Sequence, residues 1–69
     1  MNAFIEYTDE EGQRIGIAVD TIETVLILPN GDVKIWSKQG KQEDSIFLPG
    51  ELGERFLAWW DHRADVYRL

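Results

Sequence analysis

A hairpin in the middle of the chain constrains the fold more than any other feature of the sequence. The segment 28–36, LPNGDVKIW, carries an Asn-Gly pair, whose residues tolerate positive φ, between two apolar runs. Pro29 favours the entry into a turn because its ring restricts φ. The returning run alternates, with Val33 and Ile35 on one face. The pattern predicts two antiparallel strands joined by a tight turn.

Alternating or β-branched segments predict further short strands. The first two, AFIEYT and QRIGIAV, flank the acidic segment DEEG and are expected to form another hairpin with an acidic tip. Asp20 and Glu23 then have the spacing of a capping box, which predicts at most one helical turn or a bend before the run TVLIL. A polar connection around Gly40 leads to a short last strand. The predicted strands are 3–8, 13–19, about 23–28, the run after the Asn-Gly pair, and 45–49.

The last third of the chain has the only helical pattern. In the segment PGELGERFLAWWDHRADVYRL, Pro49 suits a first turn, and Glu51 and Glu54 complement the positive end of the helix dipole. Gly53 costs about 1 kcal/mol relative to alanine inside a helix, so packing must hold this helix together. We therefore expect an α+β fold, with a small antiparallel sheet of four to five strands, mostly a meander, packed against one C-terminal helix.

The size of the chain limits the core that it can build. A single domain of 69 residues, 1–69, buries only about 60% of the surface that its unfolded chain exposes. The sequence has no cysteine and hence no disulfide, which fits a reducing interior. No signal-peptide pattern starts the chain, and TVLIL is far shorter than the roughly 20 residues that span a bilayer. We expect a cytoplasmic protein without membrane contact.

Negative charge is concentrated in the first half of the sequence. The net charge is −6, and residues 1–32 contain seven acidic residues against one arginine. This field disfavours direct contact with nucleic acid or anionic lipid and favours a basic partner. The carboxylates cluster at Asp9, Glu10 and Glu11, at Asp20 and Glu23, at Asp32, at Glu43 and Asp44, and at Glu51 and Glu54. Each cluster either solubilises the surface or helps to imitate the charge of duplex DNA.

Two adjacent tryptophans near the C-terminus can serve the core or a partner. At about 100° per residue, the apolar side chains of the predicted helix cover roughly half of its circumference. Trp60 lies near the middle of that arc and Trp59 near its margin, where Arg63 could stack on the Trp59 ring. Either a thin core needs this broad face, or the margin led by Trp59 contacts a partner or a second copy of the chain.

Trp36 poses a similar alternative on the sheet. It lies between Lys34 and Lys38, on the face opposite Val33 and Ile35. The ring is either partly buried against lysine stems or offered to a partner. A base could also stack on such a strand, but the net charge of −6 opposes direct nucleic-acid binding.

No residue pattern supports catalysis or a bound cofactor. His62 is the only histidine, and without cysteine it cannot complete a usual zinc site, so it fits a solvated histidine near a helix end. The serines have no nucleophile signature, no glycine-rich stretch matches a phosphate loop, and DEEG lacks the alternating ligands of a calcium loop. We expect no enzyme activity, no cofactor and no metal.

The remaining interpretation is a binding protein. In size and charge the chain resembles, as a class, the short acidic inhibitors that phages and mobile elements make against host nucleic-acid machinery, such as anti-CRISPR proteins. The resemblance implies an inhibitor or regulator that docks on a basic surface of a partner protein. The alternative is a structural or accessory domain that forms a homodimer through the Trp59 side of the helix. The expected partner-binding residues are Asp9, Glu10, Glu11, Asp20, Glu23, Asp32, Trp36, Trp59 and Arg63.

Overall fold

The computed structural model describes residues 3–38 and 45–69. In chain order these residues form strand β1 (Phe4–Thr8), strand β2 (Arg14–Ala18), a 3-10 turn (Val19–Thr21), strands β3 (Ile22–Ile27), β4 (Val33–Ser37) and β5 (Ile46–Leu48), and helix α1 (Gly50–Trp60). The predicted connection around Gly40 and the acidic pair Glu43 and Asp44 lie outside the described residues. Within the described ranges, no helix is long and apolar enough to cross a membrane.

The five strands form two antiparallel sheets. β1 pairs with β2, and Ile5 lies opposite Ile17. β3, β4 and β5 form a meander with β4 in the centre, in which Val25 lies opposite Ile35. The 3-10 turn separates β2 from β3, and these consecutive strands do not pair. The predicted α+β class, with antiparallel strands and one C-terminal helix, is confirmed, and its strands are divided between two sheets.

Both hairpin turns use the same backbone arrangement. In the β3–β4 turn, the Gly31 amide donates to the Leu28 carbonyl at 2.9 Å, and the Leu28 amide donates to the Asp32 carbonyl at 2.9 Å. In the β1–β2 turn, the Gly12 amide donates to the Asp9 carbonyl at 3.1 Å. Gly12 and Gly31 have φ values of 81° and 93°, the left-handed region that closes a three-residue hairpin loop. Both predicted hairpins are confirmed, and the Asn-Gly pair places only its glycine at positive φ.

One apolar core joins both sheets to the helix. Its buried side chains come from β2, β4, β5 and α1, and they are Ile17, Val33, Ile35, Leu48 and Phe56. The two residues predicted to share a face, Val33 and Ile35, are the most completely buried. Trp59 and Trp60 are half-buried and pack against this core, so both rings of the adjacent pair contribute to the fold.

A close approach between helix and sheet fixes the start of α1. A Cβ atom at Gly53 would lie 2.7 Å from the Leu48 carbonyl oxygen and closer still to that of the β3–β4 turn glycine. Asp32, in the same turn, accepts a hydrogen bond from the Gly50 amide through Oδ1 at 2.9 Å. Pro49 is the N-cap and precedes the first turn, so its predicted position is wrong by one residue. Because no side chain caps this end locally, Asp32 supplies the acceptor from another element.

The helix is shorter than predicted. The predicted segment runs to the last residue, but α1 ends at Trp60 and the remainder forms turns and irregular backbone. Backbone amides and side chains beyond the helix together satisfy its last carbonyls. The Asp61 amide donates to the Leu57 oxygen at 2.8 Å, Arg68 Nη2 donates to the Trp60 oxygen at 3.1 Å, and His62 Nδ1 lies 2.7 Å from the Ala58 oxygen. The helical positions assigned after Trp60 are therefore wrong. Tyr67, which a helix continuing to the last residue would place on the apolar arc, is 96% exposed.

The capping box predicted at Asp20 and Glu23 is also wrong. The 3-10 turn has Ala18 as its N-cap, and no side chain caps it. Thr21 Oγ1 instead donates to the Ala18 carbonyl at 2.7 Å, just before β3 begins. Asp20 and Glu23 are both exposed, so their carboxylates remain accessible.

Candidate partner-binding surface

The tip of the β1–β2 hairpin carries exposed carboxylates on a well-braced turn. Asp9 Oδ1 accepts hydrogen bonds from the backbone amides of Glu11 at 2.9 Å and Gln13 at 2.8 Å. Such side-chain-to-backbone bonds hold a turn in one conformation. Glu10 and Glu11 are exposed, and neither forms an ion pair with another described residue. Asp9 therefore shapes the tip, whereas Glu10 and Glu11 supply its accessible charge.

A shallow depression, which we call the tip depression, lies beside this turn. Its volume is about 370 Å³, near the lower limit of the roughly 300–1,000 Å³ typical of ligand sites. Residues of β1, β2, β5 and α1 meet the acidic tip here. The lining residues are Tyr7, Ile15, Phe47, Pro49 and Leu52, which are largely apolar, and the acids Asp9, Glu10 and Glu11. The fold thus places the acidic tip against apolar side chains that are distant in sequence.

Phe47 is the more exposed of the two aromatic residues that line the tip depression. Its side chain is 47% exposed because it lies on the face of β5 opposite the buried Leu48. Lys34, its cross-strand neighbour on β4, has Nζ 5.9 Å from the ring centroid. Phe47 is absent from the residues predicted to bind a partner. The alternation in SIFLP nevertheless places its side chain on the face opposite those of Ile46 and Leu48. Phe4, which is 66% exposed on β1, is also absent from the residues predicted to bind a partner.

Tyr7 contributes a neutral phenol to the tip depression. Burial raises the pKa of its hydroxyl above the ordinary tyrosine value, and the nearby Asp9 carboxylate raises it further. The hydroxyl therefore keeps its proton at neutral pH and can donate a hydrogen bond. The negative charge of this region comes from the tip carboxylates alone.

Ion pairs neutralise the arginines of the chain. The four pairs are Arg14 with Glu6 at 2.9 Å, Arg55 with Glu51 at 2.7 Å, Arg68 with Asp61 at 3.5 Å, and Arg63 with Asp65. Exposed pairs contribute little to stability, but each cancels a positive charge against a negative one locally. The acids that have no basic partner among the described residues are Asp9, Glu10, Glu11, Asp20, Glu23, Asp32 and Glu54.

The acids predicted to bind a partner fall into separate places. Asp20 and Glu23 follow β2 at the end opposite the acidic tip, so this five-residue strand, about 17 Å long, separates the two acidic sites along the chain. Glu23 also lines a second depression, of about 230 Å³, together with Arg63. Asp32 differs because both of its carboxylate oxygens are hydrogen-bonded, one to the start of α1 and one to the Asn30 amide nitrogen at 3.1 Å. The Asp32 carboxylate therefore contributes mainly to the fold.

The predicted stacking of Arg63 on Trp59 is confirmed. Arg63 Cζ lies 4.8 Å from the Trp59 ring centroid and 6.0 Å from that of Trp60. The Phe56 ring centroid lies 5.5 Å from that of Trp59. Arg63 is also paired with Asp65, and the hydrogen bond between them lowers the pKa of the Asp65 carboxyl. Arg63 and Trp59 thus make contacts that stabilise the fold itself. Their role in partner binding stays a prediction.

Trp36 lies on the outer face of β4, as predicted. Thr24 is its neighbour on β3, and Val33 and Ile35 lie on the buried face of the same strand. The Trp36 side chain is half-buried. Its proposed contact with a partner also stays a prediction.

Potential metal ligands are scattered over the described surface. In residues 3–38 and 45–69, no three histidine, cysteine, aspartate or glutamate side chains are grouped closely enough to hold a metal ion. His62 is exposed and contacts a main-chain carbonyl at the end of α1.

Comparisons of the chain with protein-family models, with curated proteins and with solved structures find no match. No residue role can therefore be transferred from a relative. The function has to be inferred from the charge and shape of the described surface.

Proposed function

We propose that the chain is a non-enzymatic binding protein that docks on a basic, nucleic-acid-binding surface of a partner protein. The observation that supports this most strongly is the arrangement of charge. The arginines are paired with acids, whereas Glu10 and Glu11 at one end of the hairpin and Asp20 and Glu23 at the other are exposed and have no described basic partner. A small cytoplasmic inhibitor or regulator of the anti-CRISPR kind, made by a phage or mobile element, would act in this way.

The separation of the two acidic sites suits a surface that normally holds a nucleic-acid backbone. Duplex DNA carries about one charge per 1.7 Å of axis, so the strand length of about 17 Å corresponds to about ten phosphates. The described carboxylates lie towards both ends of that distance and do not form a continuous track. We infer that the partner contributes two basic patches at a similar separation.

The same charges oppose direct contact with nucleic acid. The net charge is −6, and among the described residues only Lys34 and Lys38 are basic without an acidic partner. A negative field of this kind repels phosphate and accelerates the encounter with a basic protein. The chain would therefore compete with nucleic acid for the partner.

Affinity capture from the native host tests this proposal. Wild type and a neutralised variant, in which four exposed acids lose their charge, are immobilised and the bound proteins are identified. The substitutions are Glu10→Gln, Glu11→Gln, Asp20→Asn and Glu23→Gln. Asp9 and Asp32 are left unchanged because their carboxylates brace the two turns. We expect wild type to capture a nucleic-acid-binding protein that duplex DNA displaces, and the neutralised variant to capture far less of it.

A double variant with the wild-type net charge is the matched control. Glu51→Gln with Arg55→Gln removes one exposed ion pair and leaves the net charge at −6, so capture should be unchanged. A captured protein that DNA does not displace, and that the neutralised variant retains equally, would exclude a basic docking surface.

Self-association is the second candidate function. Its predicted surface, the Trp59 side of the helix, stays a prediction. The outer face of the meander also favours self-association, because Leu26, Lys34 and Phe47 lie side by side there and Leu26 is 43% exposed. The net charge of each copy opposes it. Light scattering at high protein concentration decides between the two, because a monomer at all concentrations removes the self-association alternative.

A further inference from the structure

The tip depression combines two features that together fit one kind of ligand group. On one side Phe47 is 47% exposed, beside Pro49 and Leu52. On the other side Glu10 and Glu11 carry charges that no described basic residue neutralises. An apolar surface next to unbalanced carboxylates is complementary to a cation at the end of an apolar stem.

We propose that the tip depression accepts an arginine side chain of the partner, with its stem against Phe47 and Leu52 and its guanidinium at the Glu10 and Glu11 carboxylates. The inference rests on the proposed function, since it assigns one contact within the same basic surface. The volume of about 370 Å³ is enough for one long side chain and part of its neighbours.

Arginine fits this site better than lysine for three reasons. Its planar guanidinium stacks on an aromatic face, as Phe47 can provide, and it is more weakly hydrated than an ammonium group. Its several donors can also bond to two carboxylates at once. Lysine would gain the charge interaction with Glu10 and Glu11, but its more strongly hydrated ammonium would gain less than a guanidinium from the ring.

The chain already contains the same combination of groups within its own fold. Arg63 lies 4.8 Å from the Trp59 ring centroid and is paired with Asp65, so one guanidinium contacts an aromatic ring and a carboxylate together. Lys34 Nζ lies 5.9 Å from the Phe47 centroid and leaves Phe47 47% exposed, so a second cation can still reach the ring. The tip depression repeats the aromatic and acidic halves of the Arg63 arrangement without an arginine of its own.

Hydrogen bonds that do not involve the binding side chains hold the backbone of the site in place. The two hydrogen bonds to Asp9 Oδ1 fix the turn that carries Glu10 and Glu11. Phe47 lies on a strand that is paired with β4. A preformed site loses less side-chain and loop entropy on binding, which raises the affinity of a small contact.

Binding of two capped peptides, hexa-arginine and hexalysine, to the intact chain measures the preference directly. Both probes carry the same charge, so their ratio of dissociation constants isolates the guanidinium. We expect hexa-arginine to bind about two- to fivefold more tightly, the ratio for one exposed cation–π contact. Phe47→Leu should lower the ratio, whereas Phe4→Leu, an equivalent change at an exposed ring outside the depression, should leave it unchanged.

The acidic half of the site has its own matched pair of variants. Glu10→Gln with Glu11→Gln should weaken both peptides, and amide shifts in the nuclear magnetic resonance spectrum should include Phe47. Asp20→Asn with Glu23→Gln removes the same charge at the other end of the hairpin and should keep the arginine preference. Equal binding of both peptides by wild type, or a preference that Phe47→Leu does not lower, overturns the arginine site while leaving salt-dependent docking intact. If neither peptide binds, the arginine site is overturned as well. The proposed function is tested separately, and it is overturned if wild type captures no protein that duplex DNA displaces.

Discussion

Gly53→Ala tests the contact between helix α1 and the sheet, because two physical effects predict opposite signs. Helix propensity alone favours alanine over glycine by about 1 kcal/mol. In the folded chain, however, the added Cβ would lie 2.7 Å from the Leu48 carbonyl oxygen and closer still to that of Gly31. Both obstructing atoms belong to the backbone, so no side-chain rotation relieves the overlap.

The size of the effect follows from what must move. To admit the Cβ, α1 has to shift away from β5 and the β3–β4 turn, which loosens the packing of Phe56. Overpacking costs about 1–3 kcal/mol, and the upper value applies because even contacts of 3.0–3.4 Å are tighter than most real ones. After the propensity gain of about 1 kcal/mol, the net loss is about 2 kcal/mol. In a domain of this size, that loss lowers the Tm by about 8–16 °C.

Thermal unfolding followed by far-ultraviolet circular dichroism and tryptophan fluorescence measures this loss. Gly16→Ala is the matched control, because its Cβ would meet only the Phe4 ring at 3.8 Å, an ordinary contact. The control Tm should be unchanged or slightly raised. A Tm of Gly53→Ala above that of wild type would refute the reasoning, since propensity would then outweigh the close approach.

Three further predictions concern the core, the helix start and pH. Phe56→Ala removes a ring that is only 4% exposed and should cost about 3–5 kcal/mol in urea unfolding, a large share of the roughly 3–10 kcal/mol available to 69 residues. Asp32→Ala removes the acceptor for the Gly50 amide and should cost about 1 kcal/mol in the same assay, and Asp32→Asn, which keeps an acceptor oxygen, should cost less. Because folding raises the pKa of Tyr7, stability should fall as the pH rises from the ordinary tyrosine value of about 10 towards the raised value. Tyr7→Phe should reduce this fall in alkaline urea titrations, and an equal fall in the variant would contradict the assignment to Tyr7.

The hairpins could be predicted from the sequence because their chemistry is local. Gly31 follows an asparagine between two apolar runs, and the backbone needs a left-handed residue at that position. The alternation after the turn likewise places Val33 and Ile35 on the buried face. Each of these features depends on residues within a few positions of one another, so the pattern in the chain is sufficient.

The end of α1 could not be predicted because no stop residue marks it in the sequence. No glycine or proline follows Trp60, and the helical pattern continues to the last residue. The last carbonyls instead accept hydrogen bonds from backbone amides of the following turn, such as that of Arg63 to the Trp60 oxygen at 3.2 Å, and from the Arg68 side chain, eight residues away from its acceptor. Gly53 is similar: in the sequence it only weakens a helix, and the reason for it lies in two carbonyls from other elements.

Only the acidic part of the candidate site could be predicted from the sequence. The acidic tip and its charge could be predicted, because DEEG is contiguous. Tyr7, Phe47 and Leu52, which give the tip an apolar neighbour, lie in β1, β5 and α1, and only the tertiary fold brings them together. The division of the strands between two sheets is likewise a non-local outcome, since consecutive strands β2 and β3 do not pair.

The dependence of the partner's binding constant on salt tests the central claim most directly. If exposed carboxylates drive docking, the logarithm of the binding constant should fall linearly with the logarithm of the salt concentration. Neutralising Glu10, Glu11, Asp20 and Glu23 should flatten that slope, and the Glu51→Gln, Arg55→Gln control should retain it. A wild-type complex whose binding constant does not change with salt would contradict docking through the acidic surface.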